Sequence, residues 1–84
     1  MNLEQFKKLT MEEQSDAIFE FASMVTERRD RNFRYLLYHL YSFYIERKYD
    51  ISTGELIDLF GFESDDTILD LYIKDIDLGN EGIL

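Results

Sequence analysis

Few residues in this chain have the type and spacing that chemistry requires. They are one histidine, His39, two glutamates, Glu46 and Glu63, a set of carboxylates at Asp65, Asp66, Asp70, Asp75 and Asp77, and arginines at 28, 29, 31 and 34. A single histidine excludes a multi-histidine metal site, and with no cysteine there is no thiolate nucleophile, disulfide or zinc-thiolate centre. The aspartates could be read as a calcium cluster, but the Asp-x-Asp-x-Asp-Gly loop that wraps such an ion is missing. Helix capping and solvation account for them better. Glu46 or Glu63 would act as a general base only inside a shaped pocket, which nothing in the sequence indicates. The four glycines, at 54, 61, 79 and 82, stand singly, so there is no phosphate-cradling loop. No catalytic, cofactor-binding or metal-ligating residue is assigned, no small molecule is indicated, and the expectation is a protein that is not an enzyme.

The charge is distributed unevenly. The chain carries a net charge of −9, yet residues 28–48 hold six of its nine basic residues and two of its eighteen acids. This basic island coincides with the aromatic stretch Arg34 to Glu46, so a site for an anionic or acidic group belongs there if anywhere. Interleaved tyrosines and arginines resemble, in composition only, the stacking sheets of single-strand nucleic-acid binders. The overall negative charge opposes that reading, and pairing of the arginines with nearby acids is simpler. No apolar run is long enough to span a bilayer and no secretory signal opens the chain, so the expectation is a cytoplasmic protein without membrane contact.

The 84 residues are expected to form one small domain, 1–84, with 79–84 as a flexible tail. Leu3, Phe6 and Leu9 suggest a short helical turn or two. Thr10-Met11-Glu12-Glu13 then has the form of a capping box that starts a helix from about Met11 to Ala22, with Met11, Ile18, Phe21, Ala22 and Val25 on one face. The middle is ambiguous. Phe33, Leu36, Leu37, Leu40 and Tyr44 fit a helical stripe, whereas the wealth of Tyr, Phe and Ile and the turn signals at Asp30-Arg31-Asn32 and Asp50 to Gly54 favour strands. Leu56 to Phe62 is an apolar run of strand length. Ser64-Asp65-Asp66 reads as the cap of a last helix whose apolar side is Ile68, Leu69, Tyr72 and Ile76.

Several of these elements resemble a group of short, uncharacterised proteins of the Bacteroidetes. They are Leu9 to Gln14, Glu27-Arg28, Tyr35 to Leu40, Phe43-Tyr44-Ile45-Glu46 with Tyr49, Leu56, Phe62-Glu63-Ser64, and Leu69 to Leu78. The resemblance implies hairpins in the middle, with a turn at Tyr41-Ser42, and decides for strands. It implies no activity. The chain departs from the group at Leu71, where a proline is common, and at Asp58 and Phe60, where basic residues often occur.

The resulting fold class is α+β, a four-stranded antiparallel meander with an N-terminal and a C-terminal helix, its strands being 23–29, 33–40, 43–49 and 55–62. With a turn at Tyr41-Ser42, Leu40 pairs with Phe43, Tyr38 with Ile45 and Leu36 with Arg47, all on the core face. The opposite face carries Phe33, Tyr35, Leu37, His39, Tyr44, Glu46 and Lys48; with two helices covering one face it is either open and used for binding, or its tyrosines are core beneath a helix. An exposed aromatic set of this kind marks a docking surface. Tyr35, Leu37, His39 and Tyr44, with Arg34 and Lys48, are therefore the expected binding residues for a partner protein or a second copy. An acidic inhibitor or nucleic-acid mimic acting through Asp65, Asp66, Asp70, Asp75 and Asp77 is the alternative.

Overall fold

A computed structural model describes residues 1–73. Asp75, Ile76, Asp77 and the tail at 79–84 lie outside the described residues. Two helices come first, α1 (Leu3–Lys7) and α2 (Met11–Phe21), followed by β1 (Ser23–Arg29), β2 (Phe33–Leu40), β3 (Phe43–Asp50) and β4 (Leu56–Phe62). Residues 68–73 are again helical (α3). The strands form one antiparallel meander in the order β1-β2-β3-β4, which makes the chain α+β.

Side-chain caps set the helix starts. Asn2 and Gln5 form one reciprocal capping box and Thr10 and Glu13 another, each supplying acceptors to N–H groups that the first turn leaves unpaired. The Gln14 amide donates to the Phe6 carbonyl at 3.1 Å and ties the two helices together. Together they lay Leu3, Phe6, Ala17 and Ile18 on Leu40, Phe43, Ile45 and Leu59, which is the main core. The core face expected from the turn at Tyr41-Ser42 is the one found, in the same register. α1 approaches β4 closely at Gly61, where an added Cβ would lie 2.6 Å from a Leu3 methyl.

Two turns are held by aspartates. Asp30 accepts from the amides of Asn32 and Phe33 at 2.9 and 2.8 Å, and Asp50 accepts from the amide and hydroxyl of Ser52 at 2.8 and 2.6 Å. The β3–β4 turn closes through Gly54, whose φ of +75° is strained for any residue bearing a Cβ. No atom lies within 4 Å of a Cβ built there. Gly54→Ala should therefore lower stability by about 1 kcal/mol through backbone strain alone. Chemical denaturation would show this as a shifted midpoint with an unchanged slope.

The short helical turn expected at Leu3 and Phe6 is found as α1. Two expectations need correction. The buried face of α2 is narrower than its pattern suggests: Ala17 and Ile18 are buried, but Met11 and Phe21 are exposed. Val25 is not on that helix at all, because Ala22 turns extended and β1 begins at Ser23. Finally, the cap of α3 is Asp66, whose carboxylate accepts from the Ile68 amide at 3.0 Å, rather than Ser64 two residues earlier.

Candidate functional site

The second sheet face is covered, so of the two readings of this face the one that puts its tyrosines beneath a helix is found and the open face is corrected. α3 crosses it, and Tyr72, Ile68 and Leu69 pack with Leu37 and Phe62, flanked by Tyr35, Tyr44 and Phe60. Leu37 is only 2% exposed, so it offers nothing to a partner. The domain thus has three layers, α1 and α2, the sheet, and α3. A sequence signal for this exists. Leu36-Leu37 and Leu59-Phe60 are adjacent apolar pairs, and because neighbours on a strand point to opposite faces, such pairs mean burial on both.

Under α3 lies a polar group of side chains. Glu46 is 3% exposed, and its carboxylate meets an Arg28 terminal nitrogen at 3.4 Å. The Arg28 guanidinium lies 3.8 Å from the centre of the Tyr35 ring and 5.1 Å from that of Tyr72, as cations favour aromatic faces. Burial pushes the Glu46 carboxyl above the ordinary carboxylate range, outweighing the attraction of Arg28. Burial, and then the Glu46 charge, likewise raise the Tyr72 phenol. Tyr35 is engaged at its other end too, its hydroxyl donating to Asp30 at 2.8 Å. The cluster ties β1, β2, β3 and α3 together, with Arg28 Nε and the Tyr72 hydroxyl buried and without a hydrogen-bond partner among the described residues.

The six residues expected to bind a partner therefore divide. Tyr35 and Leu37 support α3. Lys48 lies over Phe33, its ammonium 4.1 Å from the ring centre. Arg34 points to the opposite face, where its Nε donates to Glu27 at 2.7 Å. His39 is exposed and Tyr44 half-buried, their ring centres 4.9 Å apart. These two stand at the end of the sheet nearest the β2–β3 turn.

Several large apolar side chains of α2, β1 and the β2–β3 turn are exposed. Phe19 is 90% exposed, and Phe21, Met24, Val25 and Tyr41 are each at least half exposed. Phe21 and Tyr41 touch, with ring centres 6.1 Å apart. Tyr41 occupies the turn with φ 53°, a conformation disfavoured for a bulky residue. β1 is an edge strand, and Val25 falls where its pairing with β2 is irregular.

Of the alternative acidic set, Asp65 and Asp70 are exposed and Asp66 serves as the α3 cap. Among the described residues, no group of three or more potential ligands is placed to hold a metal, and no helix is long and apolar enough to cross a membrane. No family model, curated protein or solved structure matches the chain.

Proposed function

We propose that this protein is a non-catalytic interaction module that binds another protein, or a second copy of itself, through the apolar end of its sheet. The observation that carries this reading is the exposed contact of Phe21 with Tyr41, with Met24 and Val25 exposed nearby at the start of β1. Large apolar side chains left together in water are costly and are the usual mark of a docking surface. Aromatics are the residue types that anchor interfaces, and the edge of β1 adds unpaired backbone groups beside them. Kinship with the short Bacteroidetes proteins belongs to the same proposal and adds no activity to it.

Capture of partners from native-host lysate, at low and at high salt, tests the reading. Contacts of this kind should hold at high salt, which screens charges and leaves apolar burial intact. Phe21→Ser combined with Met24→Ser should weaken capture at least about tenfold, with the fold kept because both side chains are exposed. Tyr44→Ala is a poorer probe, since Tyr44 also stacks on Phe62 with ring centres 6.0 Å apart. A partner lost on raising salt, and retained by the double variant, would favour the acidic mimic instead.

A further inference from the structure

The opposite face of the sheet, at its other end, carries a second feature that is independent of the apolar end. α1 and α2 cover the Leu40 and Phe43 end of this face and leave the far end open. There, in one row across the sheet, Arg29 of β1 stands opposite Arg34 of β2, and Arg34 opposite Tyr49 of β3. They border a groove of about 440 Å³, floored by Leu36 and closed by Ile51 and Gly54 of the β3–β4 turn.

Two like charges directly opposite each other destabilise a sheet. Here one carboxylate oxygen serves both, Glu27 Oε2 accepting from Arg29 Nε at 3.1 Å and from Arg34 Nε at 2.7 Å. That pairing holds the Glu27 carboxyl below its ordinary range, chiefly through Arg34 and then Arg29. A single negative charge leaves the pair one positive charge in excess. Both guanidiniums use Nε inward, and among the described residues neither makes a hydrogen bond through its terminal nitrogens. Those nitrogens form the edge that pairs with a carboxylate in two parallel hydrogen bonds. Arg47, in the next row opposite Leu36, does not border the groove: its guanidinium lies over Tyr38, 5.4 Å from the ring centre. Asp50 also borders the groove and keeps its negative charge there, with its Oδ1 directed into the turn, where it accepts from the Ser52 and Thr53 amides and the Ser52 hydroxyl.

We infer that this groove binds an acidic peptide segment of a partner protein, carboxylates on Arg29 and Arg34 and an apolar side chain over Leu36 and Tyr49. The mixed lining favours a peptide over nucleic acid. A polyphosphate strand would meet the field of a chain with net charge −9 along its whole length, whereas two or three carboxylates can be satisfied locally.

The test is an NMR titration of the isotopically labelled full chain, at low salt, with a capped peptide of four glutamates around one leucine. Saturable shifts at the amides of Arg29, Arg34, Tyr49 and Gly54 are expected. Arg34→Gln should weaken binding at least about tenfold, and Lys8→Gln, the same charge change on α1, should leave it within about twofold by the same scale. Arg29→Gln, at a more exposed position, replaces Arg34→Gln if that variant fails to fold. No saturable shift, equal losses from Lys8→Gln, or tighter binding of a single-stranded oligonucleotide of matched charge would each overturn the inference.

Discussion

Replacing Tyr72 with alanine is expected to destabilise the domain by about 3–5 kcal/mol, the usual cost of deleting a buried aromatic ring. Tyr72 is 2% exposed and is the residue through which α3 reaches the sheet, against Leu37 and Phe62. Its loss would open a void beneath α3 and leave Arg28 with one aromatic face instead of two. For a domain of this size such a cost is a large share of the total stability, so a substantial unfolded fraction is expected. Tyr72→Phe is the informative control. It keeps the ring and removes a buried hydroxyl that lacks a hydrogen-bond partner among the described residues, so it should retain most of the stability. Urea unfolding distinguishes them; an unchanged midpoint for Tyr72→Ala would mean that α3 does not pack on the sheet in solution.

The second large effect is expected at Glu46. Glu46→Ala removes one member of a buried ion pair and strands the Arg28 guanidinium, a loss of about 3–5 kcal/mol at neutral pH. The pair also gives stability a distinctive pH dependence. Because burial raises the Glu46 carboxyl in the folded state, the folded chain holds this proton to higher pH than the unfolded chain does. Its contribution is therefore complete below the ordinary glutamate value and declines as pH rises through the raised one. Glu27, Asp30 and Asp50 are shifted the other way, Glu27 by its arginines, Asp30 by the Asn32 amide first and Asp50 by the Ser52 hydroxyl first. Their contributions are present above the ordinary carboxylate values and disappear as pH falls through the lowered ones. Stability should thus peak on the mildly acidic side. Glu46→Gln should flatten the decline from that peak toward neutral pH and leave the acid limb in place. A wild-type profile that rises steadily from pH 5 to 7 would contradict the raised Glu46.

The strands and their register were legible because local signals agreed. Turn residues at Asp30 and Asp50 bound the pieces, and placing Tyr41-Ser42 in a two-residue turn determines every pair from Leu40–Phe43 to Leu36–Arg47. The cover over the second face is less legible, for a different reason. Alternation along the strands suggests a one-sided sheet, although Leu36-Leu37 and Leu59-Phe60 break it, and α3 lies too far along the chain for local pattern to dock it. The exposed side chains near the start of β1 are hidden in the sequence because helical spacing continues through Ala22 into β1. No Gly or Pro marks that boundary, so Phe21 and Val25 looked like one buried stripe when they belong to different elements. Arg34 joined the aromatic set through its place in the basic island, but alternation along β2 sends it to the other face, where Glu27 waits two positions before Arg29.

The most direct test of the proposed docking surface is site-specific photocross-linking in native-host cells. A benzophenone side chain replaces Phe21, which is 59% exposed, so the exchange spares the core, or, in a second variant, Asp70 on the exposed side of α3. The account predicts a discrete cross-linked species, hetero- or homodimeric, from position 21 and none from position 70. The same species formed from position 70, with none from position 21, would contradict it.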